Sequence, residues 1–398
     1  MLVTEAHALG AIAVIRSLGR AGYPVHASAQ MADALGLQSR YLHQRYLSPK
    51  YDSSEFLPWI RRLIDDKKIR AIIPSESLLL AIRPYFQEFS ALLPYSRTEE
   101  VVYAGMSKVD QIACLAAHKS GTEAEHLPPF LLLDENSPMP LPESALANLG
   151  SPLYIKVDGS YARTGLPGRV YKVSPEEAAG VAAGAVRQYK KVLVEGHVPG
   201  RGVGVFFLLW NGEVRAEFMH IRLHEVPHTG GVSSYRKSWW HQAIRDDALR
   251  KLRAFNWQGV AMMEYRWDDA HDQFYFMEMN GRFWGSLHLA LRAGVDFPAM
   301  LLDCFHGQAP ASFTAPKHNA MCRYTFPSEV MFVRSRWKDT SLGWPQKLWA
   351  LAEFLLLGLN PQVGSDLWFP GDTKLYWLEL VRFARTLLSR SRTRKESV

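Results

Sequence analysis

Cysteine is scarce in this chain. Three residues of 398, Cys114, Cys304 and Cys322, stand at spacings that fit neither a disulfide framework nor a metal-binding pair. They are expected to be buried, reduced thiols of a cytoplasmic protein. Long apolar runs are missing too: none reaches the roughly 18 uncharged residues that a membrane-spanning helix needs. The opening Met-Leu-Val-Thr-Glu-Ala-His has no basic leader followed by an apolar run, so no signal peptide is expected. There is no internal repeat, no nucleophile elbow and no Cys–His pair. His7, His118, His197 and His288 read as ordinary polar or half-buried residues. The first strand-to-helix turn, Glu5 to Gly10, lacks the Gly-x-Gly-x-x-Gly fingerprint. The net charge of +7 is modest, and much of the excess sits in Arg385, Arg390, Arg392, Arg394 and Lys395. No nucleic-acid signature accompanies that basic end, so no nucleic-acid partner is expected.

What is present is an ordinary globular composition, 47% hydrophobic and 21% charged, over a length that suits two or three domains. The most informative stretch is Phe274 to Gly285. It begins as an alternating strand, with Phe274, Phe276, Glu278 and Asn280 on one face and Tyr275, Met277 and Met279 on the other. Gly259 to Trp267 also reads as a strand. A hairpin whose loop centres on His271 places Glu264 directly opposite Glu278. Like charges opposed across a ladder are destabilising. A hard divalent cation held by Glu264, Glu278 and Asn280 relieves the repulsion, and oxygen-only ligands favour magnesium or manganese. Arg282 adds a fixed positive charge for a phosphate or carboxylate. The alternative is an edge strand whose Glu and Asn face water; the apolar residues crowding both strands weigh against it.

The Glu-Met-Asn-Gly-Arg-Phe-Trp-Gly-Ser run resembles the Glu-x-Asn-x-Arg magnesium motif of the ATP-grasp family. Leu289-Ala290 and Ala293 to Pro298 resemble its carbamoyl-phosphate-synthase-like branch, and the likeness extends over roughly Leu2 to Gly307. The resemblance implies an α/β protein: an N-terminal parallel-sheet domain over residues 1–102, then a two-lobed α+β ATP-grasp domain over 103–310, with lobes of about 103–196 and 197–310. A C-terminal extension, 311–398, carries amphipathic helices and the basic end. Independently of the resemblance, helices at Ala8–Ala21 and Ser54–Lys67 alternate with strands at Leu2–Thr4, Tyr23–Ala27 and Arg70–Pro74, which implies a parallel sheet.

The resemblance also implies roles for single residues. Lys108, by periodicity a surface lysine at the start of a helix capped by Ser107, becomes a ligand of the ATP phosphates. Lys156 lies on an apolar strand, where an ammonium group needs an anion; it resembles the family's second phosphate-binding lysine. Gly159, Ser160 and Gly165 lie in a segment, Gly159–Gly168, that resembles the flap over the triphosphate. Glu195 and Val198 match the linker whose backbone bonds the adenine edge. The family's ribose-binding Glu is replaced by Arg201-Gly202-Val203-Gly204, so ribose recognition stays unassigned. Glu5, Ser75 and Glu76 read as turn and capping residues, and the resemblance adds a place beside the substrate. His220, Arg222 and Glu225 are either a solvated strand end or, with the backbone of Gly230, Gly231 and Ser233, a cradle for an anionic acyl group.

The implied activity is ATP-dependent ligation. A carboxylate is phosphorylated, then joined to an amine or less often a thiol, with Arg282 and Lys156 stabilising the transfer. Small carboxylic acids and amines are the expected partners. Two other readings are kept: carbamoyl-phosphate-type phosphoryl transfer, and a non-catalytic ATP-binding scaffold on membranes. The second draws on Leu375–Leu388, an amphipathic helix with Lys374, Arg382 and Arg385 on its polar side. Such a helix lies in a membrane interface, packs on the body of the protein or pairs with a second subunit to form a homodimer.

Overall fold

The computed structural model describes residues 1–96, 98–118, 122–139, 141–163, 168–308 and 319–395. It divides into two compact units. One comprises Met1–Arg97, Phe207–Trp240 and Arg282–Val398; the other comprises Thr98–Phe206 and His241–Gly281.

The first unit opens with four parallel strands, β1 (Leu2–Val3), β2 (His26–Ala29), β3 (Gln44–Leu47) and β4 (Ile72–Ile73), in the order β3-β2-β1-β4. Parallel neighbours need crossover helices, and Leu9–Arg20 and Phe56–Lys67 occupy the expected places. Helix Leu9–Arg20 buries Ile12 to Leu18 and stops before Gly22, whose φ of +88° suits glycine. Strand β2 starts later than expected, because Pro24 offers no N–H to a ladder.

The second unit contains an antiparallel sheet of β5 (Phe130–Asp134), β6 (Leu153–Val157), β7 (Arg169–Val173) and β8 (Lys191–Gly196), ordered β5-β8-β6-β7. Helix Pro175–Gln188 covers it, laying Ala178, Ala182 and Ala185 on Leu153, Ile155, Val192 and Val194. That helix starts as its sequence predicts. Pro175 takes the first turn, and the Glu177 carboxylate accepts from the Ser174 N–H at 3.2 Å. A Cβ on Gly196 would meet the Leu149 carbonyl oxygen at 2.0 Å, so only glycine fits the end of β8.

Strand β9 (Arg201–Trp210) carries the chain from the second unit into the first. Asn211 and Gly212, with φ of 53° and 79°, turn it into β10 (Glu213–Val226), as the Asn-Gly signal predicts. β10 runs past Met219 to Val226 and buries His220, Arg222 and His224. The solvated strand end considered for His220–Glu225 is therefore wrong. The reason is β11 (Val232–Ser238), which pairs with it from His220↔Ser238 to Val226↔Val232. The second unit then adds helix Gln242–Ala254 and the hairpin β12 (Gly259–Asp268) and β13 (Gln273–Asn280). In the first unit β14 (Met321–Arg323) lies antiparallel on β11, and β15 (Val363–Ser365) lies parallel on β14.

The C-terminal part is built into the first unit through buried charges. Arg16 is fully buried. Its Nε donates to Asp372 Oδ2 at 2.9 Å, and its two terminal nitrogens reach the carbonyls of Asp366 and Leu367 at 2.8 and 2.9 Å. Asp372 also accepts from Ser39 Oγ at 2.8 Å and the Arg40 N–H at 3.1 Å. Arg236 pairs with Asp366, which takes a further contact from Cys322 Sγ. Burial raises the Asp366 carboxyl, but Arg236 and His288 outweigh it and hold the group below the usual carboxylate range. Cys304 and Cys322 are buried as expected, whereas Cys114 is exposed. It lies on the outward side of helix Lys108–Ala116, whose inward side is Val109, Gln111, Ile112 and Leu115.

Candidate active site

Strands β12 and β13 pair with Met262 opposite Asn280, Met263 opposite Met279 and Glu264 opposite Glu278, the facing carboxylates that the sequence predicts. One feature departs from the expected alternation. Tyr265 faces Phe276, so Met277 is an extra residue in a β-bulge. Burial alternates through Phe274 and Phe276 and then resumes one residue late, at Met279. Phe274 and Phe276 are therefore not followed on the same buried face by Glu278 and Asn280. The bulge turns those two polar residues into half-buried positions, where a carboxylate is tolerated.

Glu278 is engaged from two sides. The Lys108 ammonium pairs with its Oε2, and Asn280 Nδ2 donates to its Oε1 at 3.0 Å. Lys108 is the first residue of helix Lys108–Ala116. Ser107 caps that helix, its Oγ accepting from the Asp110 N–H at 3.2 Å. The helix is fixed to β13 by Gln111, which sequence reasoning missed. Its Nε2 donates to the Met279 carbonyl at 2.9 Å, and its Oε1 accepts from the Met279 N–H at 2.7 Å. A lone amide on an otherwise apolar inner face was the available signal. Burial opposes the Lys108 charge, but Glu278, then Glu264 and Glu195, outweigh it and hold the ammonium above the usual lysine range. Burial likewise raises the Glu278 carboxyl, but Lys108, Asn280 and Lys156 bring it below the usual range.

Lys156 on β6 sits diagonally across the ladder from Glu195 on β8, since Tyr154 is opposite Glu195 and Lys156 is opposite Leu193. Lys156 Nζ donates to Glu195 Oε1 at 2.6 Å, and both side chains are buried. The anion that a buried lysine demands is thus within the chain. Glu195 Oε2 is buried without a hydrogen-bond partner. Lys108, Lys156, Glu195, Glu264, Glu278 and Asn280 form one electrostatic cluster, with three carboxylates against two ammonium groups. The donor set suits a hard cation: two opposed carboxylates and an amide, all oxygen ligands, with an excess of negative charge. Among the described residues no trio of His, Cys, Asp or Glu gathers around a common point. A cation here would therefore take its remaining oxygens from water or phosphate.

Gly159 and Ser160 form a short turn, Gly159–Tyr161, in which Asp158 Oδ1 accepts from the Ser160 N–H at 2.8 Å. Tyr161 OH bonds Asp110 at 2.5 Å, and Lys191 Nζ reaches the same hydroxyl at 3.1 Å. Gly165 lies outside the described residues. Val198 is buried beyond the end of β8, where the Gly196 and His197 N–H groups donate to the carbonyls of Pro129 and Pro152.

The remaining predicted residues belong to the first unit. Arg222 donates to Gly231 O at 3.0 Å and to Glu225 Oε1 at 3.2 Å, bracing the β10–β11 turn. Gly230 and Gly231 both have positive φ, and Ser233 faces Glu225. Arg282 Nε donates to Glu76 Oε2 at 3.0 Å, a half-exposed pair. Arg282, Glu5, Ser75 and Glu76 line a cavity of about 390 Å³ just past the C-terminal ends of β1 and β4. Ser75 keeps its expected capping role as well, accepting from the Leu78 N–H at 3.1 Å.

No protein-family model and no curated protein sequence matches this chain. Solved structures do. The biotin carboxylase of Campylobacter jejuni, in a β-γ-ATP complex, superposes with a TM-score of 0.59 at 16% identity, covering 80% of this chain and 74% of that one. The N5-carboxyaminoimidazole ribonucleotide synthetase of Thermus thermophilus gives 0.58 at 19%, covering 81% and 82%. This chain has the ATP-grasp fold. The L-amino acid ligase of Bacillus licheniformis matches it at a TM-score of 0.56 and 15% identity, over 78% of this chain and 74% of that one. At such identities the likeness establishes the ATP-grasp fold and leaves each residue's role to local geometry. On the second unit that geometry gathers the two lysines and the Glu, Glu, Asn set that the ATP-grasp resemblance singled out.

Proposed function

We propose that this chain is an ATP-dependent, ADP-forming ligase that activates a small carboxylic acid as an acylphosphate and joins it to an amine. The observation that carries the reading is the cluster of Lys108, Lys156, Glu195, Glu264, Glu278 and Asn280 on one unit of an ATP-grasp fold. Facing carboxylates with compensating ammonium groups match what a triphosphate and its cation require.

ATP is a substrate in this scheme, handled by residues 103–310. Lys108 and Lys156 neutralise its phosphates. Gly159, Ser160 and Gly165 cover them, and Glu195 and Val198 border the adenine. Glu264, Glu278 and Asn280 would hold magnesium or manganese, which would supply positive charge against the phosphates. A carboxylate oxygen of the acid attacks the γ-phosphorus, and the bond to the bridging oxygen breaks, releasing ADP. The amine then attacks the acyl carbon. Phosphate leaves, and the amine loses a proton to solvent. Arg282 stabilises the transferring phosphoryl group, while Arg222 and the backbone of Gly230, Gly231 and Ser233 position the acid. Positioning and electrostatics suffice, and no side chain of the protein is the nucleophile.

The test is ADP release by the purified chain with magnesium, against pooled amino acids and small carboxylic acids. Release that depends on both an acid and an amine is expected. Glu278→Gln should lower it at least about a hundredfold, the scale of losing one preorganised charge contact, with an unchanged far-ultraviolet circular dichroism spectrum. Undiminished release in that variant would refute the assignment.

A further inference from the structure

The helix Trp344–Leu359 carries only two charged residues, Lys347 and Glu353, in sixteen positions. Buried helices have such compositions, but this one is not buried: Ala350 is its single buried residue. Trp344, Leu348, Leu351, Leu355 and Leu359 recur at steps of four, three, four and four, so they share one face. All five are exposed, from 43% at Leu351 to 81% at Leu359, and Trp349 and Leu356 flank them at 59% and 55%. The stripe runs about 24 Å at 1.5 Å per residue. Trp337 of the preceding helix, Val330–Lys338, extends it, its ring 5.9 Å from that of Trp344. Continuous apolar faces of this size mark a contact surface.

The opposite side of the helix is tied down. Glu353 lies 3.4 Å from His224 Nε2, and the Phe354 carbonyl accepts from Arg323 at 2.9 Å, with the Arg323 guanidinium over the Phe354 ring. The stripe is therefore held facing outward. Its surroundings are basic: Arg334 and Lys338 are exposed on the preceding helix. Elsewhere in the same unit the last helix, Lys374–Lys395, exposes Trp377 and Val381 together with Lys374 and Arg385. Tryptophan and leucine on one face with arginine and lysine beside it is the composition of a helix that lies in a lipid interface. No helix among the described residues is long and apolar enough to cross a membrane. A stripe of this length falls short of the roughly 30 Å hydrocarbon core.

We propose that the Trp344–Leu359 face docks on an anionic lipid bilayer, lying in its interface with Arg334 and Lys338 over the headgroups. A second copy of the chain fits less well, because a two-fold contact sets the same positive surroundings against each other, whereas acidic lipids supply the opposite charge.

The test is flotation of the full chain with vesicles of phosphatidylcholine, with and without phosphatidylglycerol. Binding that rises with phosphatidylglycerol is expected, together with a blue shift of tryptophan emission. The double variant Leu348→Glu, Leu355→Glu should lower the bound fraction at least about tenfold, since each change puts a charge where an apolar side chain enters the interface. Both positions are exposed, so circular dichroism should match the unaltered chain. Equal flotation of the variant, or no flotation of the unaltered chain, would overturn the proposal. So would a dimer in solution that the same variant makes monomeric, which would give the face to a second copy. None of these readings depends on ADP release.

Discussion

The Lys156–Glu195 pair offers a way to separate a structural lysine from a phosphate-binding one. At 2.6 Å, with an effective dielectric constant of about 20, the two charges attract by about 6 kcal/mol before the cost of taking both out of water. Removing one partner leaves the other charge buried alone. Lys156→Met and Glu195→Leu should each cost about 3–5 kcal/mol, while the double variant should lie within about 1 kcal/mol of the unaltered chain. Hydrogen exchange at the β6 and β8 amides reads this locally, which suits a chain of two units better than one global melting curve. The double variant is then a folded protein without the ammonium group. If Lys156 meets the triphosphate, it should bind a non-hydrolysable ATP analogue at least about tenfold more weakly, the scale of one charged contact. Single variants that cost under about 1 kcal/mol would refute the energetic argument. Unchanged nucleotide affinity in the double variant would refute the role.

Acid should weaken the first unit well before carboxylates titrate. Burial, first among the causes, lowers His288 to about 3 and His26 to about 4, so both fold neutral. A depressed base contributes stability above its unfolded value near 6.5 that is lost as pH falls toward the folded value. Urea unfolding at pH 7 and pH 5 should show the loss, and His288→Gln should remove about one proton from the slope. Asp366→Asn should cost about 3 kcal/mol in the same assay by leaving Arg236 buried without its counter-charge. Gly196→Ala should cost about 1–3 kcal/mol by driving a methyl group against the Leu149 carbonyl, seen as reduced protection of β8.

The facing pair Glu264 and Glu278 was legible because two alternating strands flanked a polar turn, and a hairpin register then follows from counting. The bulge at Met277 was not, since an extra residue leaves no mark in composition and appears only when two strands are laid together. Lys108 was legible as a helix start, but its contact with Glu278 depends on Gln111 gripping Met279, 168 positions along the chain. For His220 to Glu225 the sequence left two readings open, because uneven polarity fits a solvated end as well as a buried strand. The segment is buried by β11, which follows the glycine turn and pairs back along it. The charges that join Arg16 to Asp372 and Arg236 to Asp366 lie on segments that read as ordinary helix, strand and loop.

Arg16 and Asp372 are separated by 356 positions. A ribosome adding roughly 5–20 residues per second needs about 20–70 s to cover that distance. Throughout that interval the helix Leu9–Arg20 exists without the carboxylate its guanidinium requires, and strand β11, made later, waits in turn for β14. The opening helix thus cannot reach its final packing while the chain is being made. For the same reason, cutting the chain near residue 310 would not trim off a tail. It would leave Arg16 and Arg236 stranded in an apolar interior, and the product should be an unfolded or chaperone-bound fragment instead of a smaller working protein.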